Sequence, residues 1–206
     1  NEYLVAVYVW SVYTECMHGM PSERPVRVAV PVNLRPYFNS ITTKNFFVMV
    51  SAEFHPTKEI YTFEEVLKSV SESLRSQISR ENLEKLFSYN VSNEKLLAAR
   101  IVPLFLKNLA MRYVYTTSAL ANTATVTNIG NISVSEEYRP YVEMFHAFLA
   151  MSKGQHLKGT ICSYGDTLVF SFSYDLTDTS VQRGFFRKIA ADGIAVEIET
   201  NGVNYE

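Results

Sequence analysis

The sequence predicts an α/β domain, a mixed β-sheet with helices packed on it, and three patterns carry that prediction. Two runs rich in β-branched and aromatic residues, 157–163 and 167–174, flank Tyr164, Gly165 and Asp166, a three-residue hairpin turn. Phe63, Val66, Leu67, Val70 and Leu74 recur at the helical period of about 3.6 residues. Strand-like and helix-like segments then continue through all 206 residues with no internal repeat and no low-complexity linker. One unit is therefore expected over residues 1–206.

Taken in order, residues 4–18 read as a helix that is apolar nearly all round and hence buried, ended by Gly19, Met20, Pro21 and Ser22. Its β-branched content leaves a strand as the alternative. The sequence opens at Asn1 without a Met and enters this apolar run at once, so the start reads as a cut inside a larger protein. Residues 26–30 alternate as a strand closed by Pro31 and Pro36, and 45–51 form a second strand. Thr62 and Glu65 stand in capping-box spacing and open the next helix.

A longer helical pattern covers 80–112, with Leu83, Leu86 and Phe87, then Leu96, Leu97, Ile101, Leu104 and Leu106. A break is expected over 90–93, and a kink or new start at Pro103, because a mid-helix proline loses a hydrogen bond. Residues 123–127 are a strand, and 142–151 a further strand with helix as the alternative. After the hairpin, a helix over 178–191 carries Val181, Phe185, Phe186 and Ile189 on one face. Asp192 and Gly193 stop it, and 194–198 form a closing strand.

Composition narrows the function classes. Hydrophobic residues at 47% against charged residues at 19% make an ordinary globular mixture. The net charge of −2 and the lack of any basic stripe disfavour a nucleic-acid partner. Cys16 and Cys162 are far apart, without metal-ligand or CxxC spacing, and read as reduced, mostly buried thiols in a cytoplasmic protein. No secretory signal is visible, and the first apolar stretch, 4–12, is about half of what a membrane span requires.

Chemistry is sparse. The chain has no GxSxG elbow, no GxxxxGKS/T loop, no HExxH and no GxGxxG. The pairs Glu64-Glu65 and Glu136-Glu137 read as charges at helix starts, near the positive end of the dipole. From the residues alone there is no self-sufficient active site and no metal site.

The stretch Val28-Ala29-Val30-Pro31-Val32-Asn33-Leu34-Arg35-Pro36, followed by Asn45-Phe46-Phe47, resembles the start of the second half of one enzyme family. These are the CoA-dependent acyltransferases of the chloramphenicol-acetyltransferase/condensation-domain type, in their alcohol-acetyltransferase and wax-ester-synthase-like branches. Thr62 to Leu67 and Arg100 to Lys107 are similar to its next helices, and Thr125-Val126-Thr127-Asn128-Ile129-Gly130 to its "SNxG" strand. Phe170 to Tyr174, the helix over 178–191 and Gly193-Ile194 resemble its C-terminal strand–helix–strand. The order covers almost the whole chain.

The resemblance implies one lobe of a two-lobed sandwich, here the C-terminal one, of an enzyme of about 400 residues. The family's catalytic HxxxD belongs to the N-terminal lobe. In this chain His18, His55, His146 and His156 are followed four residues on by Ser22, Glu59, Ala150 and Thr160, so none completes that motif. Acyl-CoA is the implied co-substrate, not a tightly bound cofactor, and a small alcohol or amine the implied acceptor. Thr127 and Asn128 become candidates for oxyanion donors beside the inter-lobe channel, with strand filler and turn as the alternative. Arg35, Asn33, Asn45 and Gly130 are expected to build the structure near that channel, Arg35 through its planar guanidinium. Lys44, Lys107 and Arg112 are cationic candidates for CoA phosphates, against plain surface charge. Two further readings stay open: a non-catalytic binding lobe, and a condensation-type domain fed by a carrier-protein thioester. A lobe without its companion exposes apolar surface, so self-association is expected.

Overall fold

Strands β1 (Val26–Asn33), β2 (Phe47–Phe54), β3 (Ala124–Asn131), β4 (Leu157–Tyr164) and β5 (Thr167–Tyr174) form one mixed sheet in the order β2-β1-β3-β4-β5. The computed structural model describes residues 1–95, 102–152 and 154–201. The outer pairs, β1 with β2 and β4 with β5, are antiparallel, whereas β1–β3 and β3–β4 are parallel. Parallel neighbours need long crossovers. The chain between β2 and β3 carries helices α3 (Phe63–Gln77), α4 (Arg80–Lys95) and α5 (Leu104–Leu120), and a short α2 (Arg35–Phe38) follows β1.

One face of the sheet is apolar and covered by helices. There α1 (Glu2–Ser11) lies between α3 and the last helix, α6 (Ser180–Ala191). Its all-round apolar sequence is explained by that position: Val5, Ala6, Val7, Tyr8 and Val9 are each at most 2% exposed. Tyr8 stacks on Phe172 of β5 at 5.8 Å and meets Phe185 of α6 edge-on at 6.4 Å. Val28, Val50, Val126 and Ile161 supply the sheet side of this core. Beyond Ser11 the helix widens into a π-turn, Val12–Cys16, where Met17 N donates to Val12 O at 3.2 Å.

The capping box forms as its spacing predicts. Glu65 N donates to Thr62 Oγ1 at 3.3 Å and Thr62 N to Glu65 Oε2 at 2.9 Å. At the other end of α3, Arg75 grips Glu2 through both carboxylate oxygens, at 2.9 and 2.8 Å, tying α3 to the start of α1.

Several sequence expectations are corrected. The first helix starts at Glu2 and leaves the α-form at Ser11, not at residue 18. Helix α4 runs unbroken through 90–93, and Pro103 precedes a new helix; Leu96, Leu97 and Ile101 lie outside the described residues. The hairpin closes with two residues rather than three, because Tyr164 pairs with Thr167, and Gly165 supplies the positive φ of 56°. Residues 194–198 form no strand: no strand pairs with them among the described residues, and Ile194 and Ile198 stay exposed. Residues 142–151 are neither strand nor helix. Glu136 and Glu137 precede only a single 3-10 turn, Arg139–Tyr141. Cys162 is buried, but Cys16 is exposed.

Candidate functional site

The middle of the second face is polar across β3, β4 and β5. The parallel and antiparallel registers set Thr127, Thr160 and Ser171 side by side across β3, β4 and β5. The next row holds Thr125, Lys158 and Ser173. Residues 142–152 form a strap over β4, held by side chains in place of a ladder. Lys158 Nζ donates to Ala150 O at 2.7 Å and to Ser152 Oγ at 2.5 Å, and Cys162 Sγ donates to Phe145 O at 3.1 Å. Burial pushes the Cys162 thiol up, so it remains protonated and structural. Phe145 also meets Tyr164 edge-on at 5.3 Å. Under this strap Thr160 is 2% and Lys158 8% exposed.

At the carboxyl edge the sheet parts. β1 stays paired to β2 as far as Asn33, and β3 to β4 as far as Asn131. The β1–β3 ladder, however, is confined to Val28–Ala124 and Ala29–Thr125. Continuing the same register sets Pro31 level with Thr127 and Asn33 level with Ile129, but there the strands have separated. Pro31 brings no N–H to a ladder, and it stands where β1 has become an edge. Successive residues of a strand turn their peptide groups to opposite sides, so alternate groups of β3 past Thr125 face the opening without a ladder partner.

Thr127, Asn128 and Gly130 lie on the β3 side of this opening and Asn33 on the β1 side. Among the described residues Thr127 Oγ1 has no hydrogen-bond partner, and its side chain lies on the polar face, opposite to that of the core residue Val126. Asn128 is committed: its Nδ2 donates to Asn1 Oδ1 and its Oδ1 accepts from Gly130 N at 2.7 Å. The register shifts between Asn128 and Gly130, a bulge around Ile129, and Gly130 holds a φ of 90° that side-chain-bearing residues rarely adopt. The bulge turns the end of β3, and the Asn1 contact brings the start of α1 to the same place.

Across the opening, Arg35 clamps the loop after β1. Its Nε donates to Thr42 O at 3.0 Å, Nη2 to Lys44 O at 2.7 Å and Nη1 to Asn33 Oδ1 at 3.3 Å. Asn33 Oδ1 also accepts from Arg35 N at 3.1 Å. The guanidinium therefore braces backbone carbonyls, whereas Asn45 is exposed just before β2. Lys44 lies in this braced loop, and Lys107 and Arg112 are on α5.

The histidines do not join the opening as a group. His55 lies 3.4 Å from Glu53, His146 3.7 Å from Glu199 and His156 2.9 Å from Asp175, and His18 sits in a turn at a φ of 53°. Among the described residues no three metal-ligating side chains cluster, and no helix is long and apolar enough to cross a membrane. Lys158 and Ser152 escaped the sequence reading. A lysine in an alternating strand reads as solvent-facing, and only the strap, a contact between segments without a shared pattern, reveals its burial.

No known sequence family matches the chain, and no curated protein matches it. Among solved structures it is similar to a condensation domain that mediates chain release from the enacyloxin polyketide synthase, at a TM-score of 0.43 and 10% identity. The similarity covers 98% of this chain and 38% of that one, so the chain spans well under half the length of that structure.

Proposed function

We propose that the chain is the C-terminal lobe of an acyltransferase that moves an acyl group from acyl-CoA to an alcohol or amine, its catalytic base supplied by a companion N-terminal lobe. The observation that carries this reading is the parting of β1 and β3 beside the Thr127 hydroxyl, which has no hydrogen-bond partner among the described residues. In the reaction the acceptor oxygen or nitrogen attacks the thioester carbonyl carbon while the companion lobe's base takes its proton. The carbonyl oxygen becomes an oxyanion, and Thr127 donates a hydrogen bond to it, assisted by the β3 amides that face the opening. The carbon–sulfur bond then breaks and the CoA thiolate takes up the proton. Asn128 spends its amide on Asn1 and Gly130, so of the two expected donors Thr127 carries this role and Asn128 shapes the bulge. Arg35, Asn33, Asn45 and Gly130 hold the two rims.

The test is an NMR titration of the isotopically labelled chain with acetyl-CoA and, separately, acetyl-pantetheine. Shift changes concentrated at 31–33 and 127–130, weakened in Thr127→Val, are expected. Equal affinity for the two ligands would replace CoA by a carrier-tethered thioester, the condensation-type reading. No response to either would leave a non-catalytic lobe.

A further inference from the structure

The amino end of the β1–β3 pair carries a hollow of its own, and two arginines stand in its wall. Ahead of the ladder, Thr123 N donates to Arg27 O at 2.8 Å and Arg27 N to Thr123 Oγ1 at 3.2 Å. These bonds draw the segment before β1 against the segment before β3. A pocket of about 340 Å³ lies between them, lined by Arg24, Pro25, Arg27, Ala121, Asn122 and Thr123. Small-molecule sites begin at about 300 Å³, so the space admits a small ligand.

The wall is rich in unspent donors. Arg27 Nε stands 3.0 Å from Glu53 Oε1, an ion-pair distance, but its N–H does not aim at that oxygen: the atom is buried and has no hydrogen-bond partner. Among the described residues the Arg24 guanidinium has no partner either, and only its backbone is fixed, Arg24 N donating to Ser22 Oγ at 3.0 Å. Thr123 Oγ1 accepts from Arg27 N, which leaves the hydroxyl hydrogen free to donate. Buried donors in folded proteins are nearly always paired, so the bare Arg27 Nε beside a pocket asks for an acceptor. No acidic residue lines the pocket, and Glu53 lies outside it on the β2 side of Arg27. Pro25 fixes the backbone between the two cations.

The donor set selects the ligand class. A carboxylate is satisfied by one guanidinium fork. A phosphate monoester presents three oxygens and nearly two negative charges, which two planar forks and a hydroxyl match. A phosphoryl group alone does not fill the pocket, and Pro25 and Ala121 offer an apolar wall to whatever carries it. We propose that this pocket binds a phosphate monoester of a small organic alcohol, its phosphate oxygens held by Arg24, Arg27 and Thr123. The pocket sits at the opposite end of β1 and β3 from the parted strands, so the proposal goes beyond the acyltransferase reading and does not rest on it.

An NMR titration of the labelled full chain with ribose 5-phosphate tests it, with ribose and sodium phosphate as companion probes. The expected result is shift changes at 24–27 and 121–123 with ribose 5-phosphate, none with ribose, and weaker binding of inorganic phosphate. Affinity should fall as added salt screens the two cations. Arg27→Lys keeps the charge but loses the fork and should weaken binding about tenfold; Arg24→Gln with Arg27→Gln should weaken it about a hundredfold, as charge-assisted hydrogen bonds are lost. Arg24 is exposed, so Arg24→Gln alone should leave the circular dichroism spectrum and melting temperature at the parent's values while still weakening the complex about tenfold. Residues 127–130, the readout for acetyl-CoA, are expected to stay unmoved. No response to ribose 5-phosphate at millimolar concentration, binding that survives the double glutamine change, or inorganic phosphate binding as tightly as the ester would each overturn the proposal.

Discussion

Gly159 sits in β4 directly beneath an aromatic ring, and adding one methyl group there tests how tightly the centre of the sheet is filled. A Cβ on Gly159 would stand 2.7 Å from Phe170 Cζ, 3.0 Å from Phe170 Cε1 and 3.2 Å from Val126 Cγ2. Carbon atoms in contact prefer about 3.5–4.0 Å, so the ring must retreat by about 1 Å. Two neighbours oppose that retreat: Phe185 lies 4.3 Å and Phe172 4.8 Å from it between ring centroids, and both are held in the same aromatic cluster. Gly159→Ala is therefore an overpacking change, expected to destabilise by about 2 kcal/mol, despite the better strand propensity of alanine. With a urea slope of about 2 kcal/mol per molar, the midpoint should fall by about 1 M. Phe170→Leu removes the obstructing ring edge, so in a double-mutant cycle the alanine should cost at least about 1 kcal/mol less in that background. A midpoint shift within error, or strict additivity of the two changes, would refute the reasoning.

Two further outcomes follow from the polar face and from the surface ion pairs. Lys158→Met keeps the volume but loses the bonds to Ala150 O and Ser152 Oγ, each worth about 1.5–3 kcal/mol for a charged donor. Cleavage of the strap by a nonspecific protease should then quicken about tenfold or more while the global melt moves little; unchanged cleavage would show that the strap is held otherwise. In acid, Glu2, held below the usual carboxylate range by hydrogen bonds from Arg75, and Asp192, held below it by Lys188 and Tyr3, both act in one direction. A lowered folded pKa stabilises above the ordinary carboxylate value of about 4 and loses that stabilisation as pH falls through the folded value. The melting temperature should be flat from neutral to about pH 5 and drop below pH 4, and Glu2→Gln with Asp192→Asn should flatten that drop.

What the residues disclosed and what they hid divides along physical lines. The Thr62–Glu65 cap is local, made of groups three residues apart, and its spacing alone predicts it. The burial of α1 is equally legible, because no amphipathic stripe is needed for a helix enclosed by α3, α6 and the sheet. Residues 142–151, by contrast, read as a strand with helix as the alternative, yet their partners are the Lys158 and Cys162 side chains on the face of the sheet. The parting of β1 and β3 is invisible in sequence for a related reason. Pro31 hints at an edge, but the loss of a ladder is a relation between strands almost a hundred residues apart. Thr127 and Asn128 read alike as polar residues of one strand, and only Asn1, remote in sequence, separates them.

The place of α1 has a consequence for how the chain acquires its shape. It precedes every element it packs on, and the aromatic partners of Tyr8, Phe172 and Phe185, are made last. During synthesis the side of α1 that meets Phe172 and Phe185 must therefore wait while more than a hundred and fifty residues are added. Contacts of such long range slow folding, because loop closure is paid for before they form. That side of α1 should need transient cover in the nascent chain, and the seating of α1 between α3 and α6 should be a late step of folding.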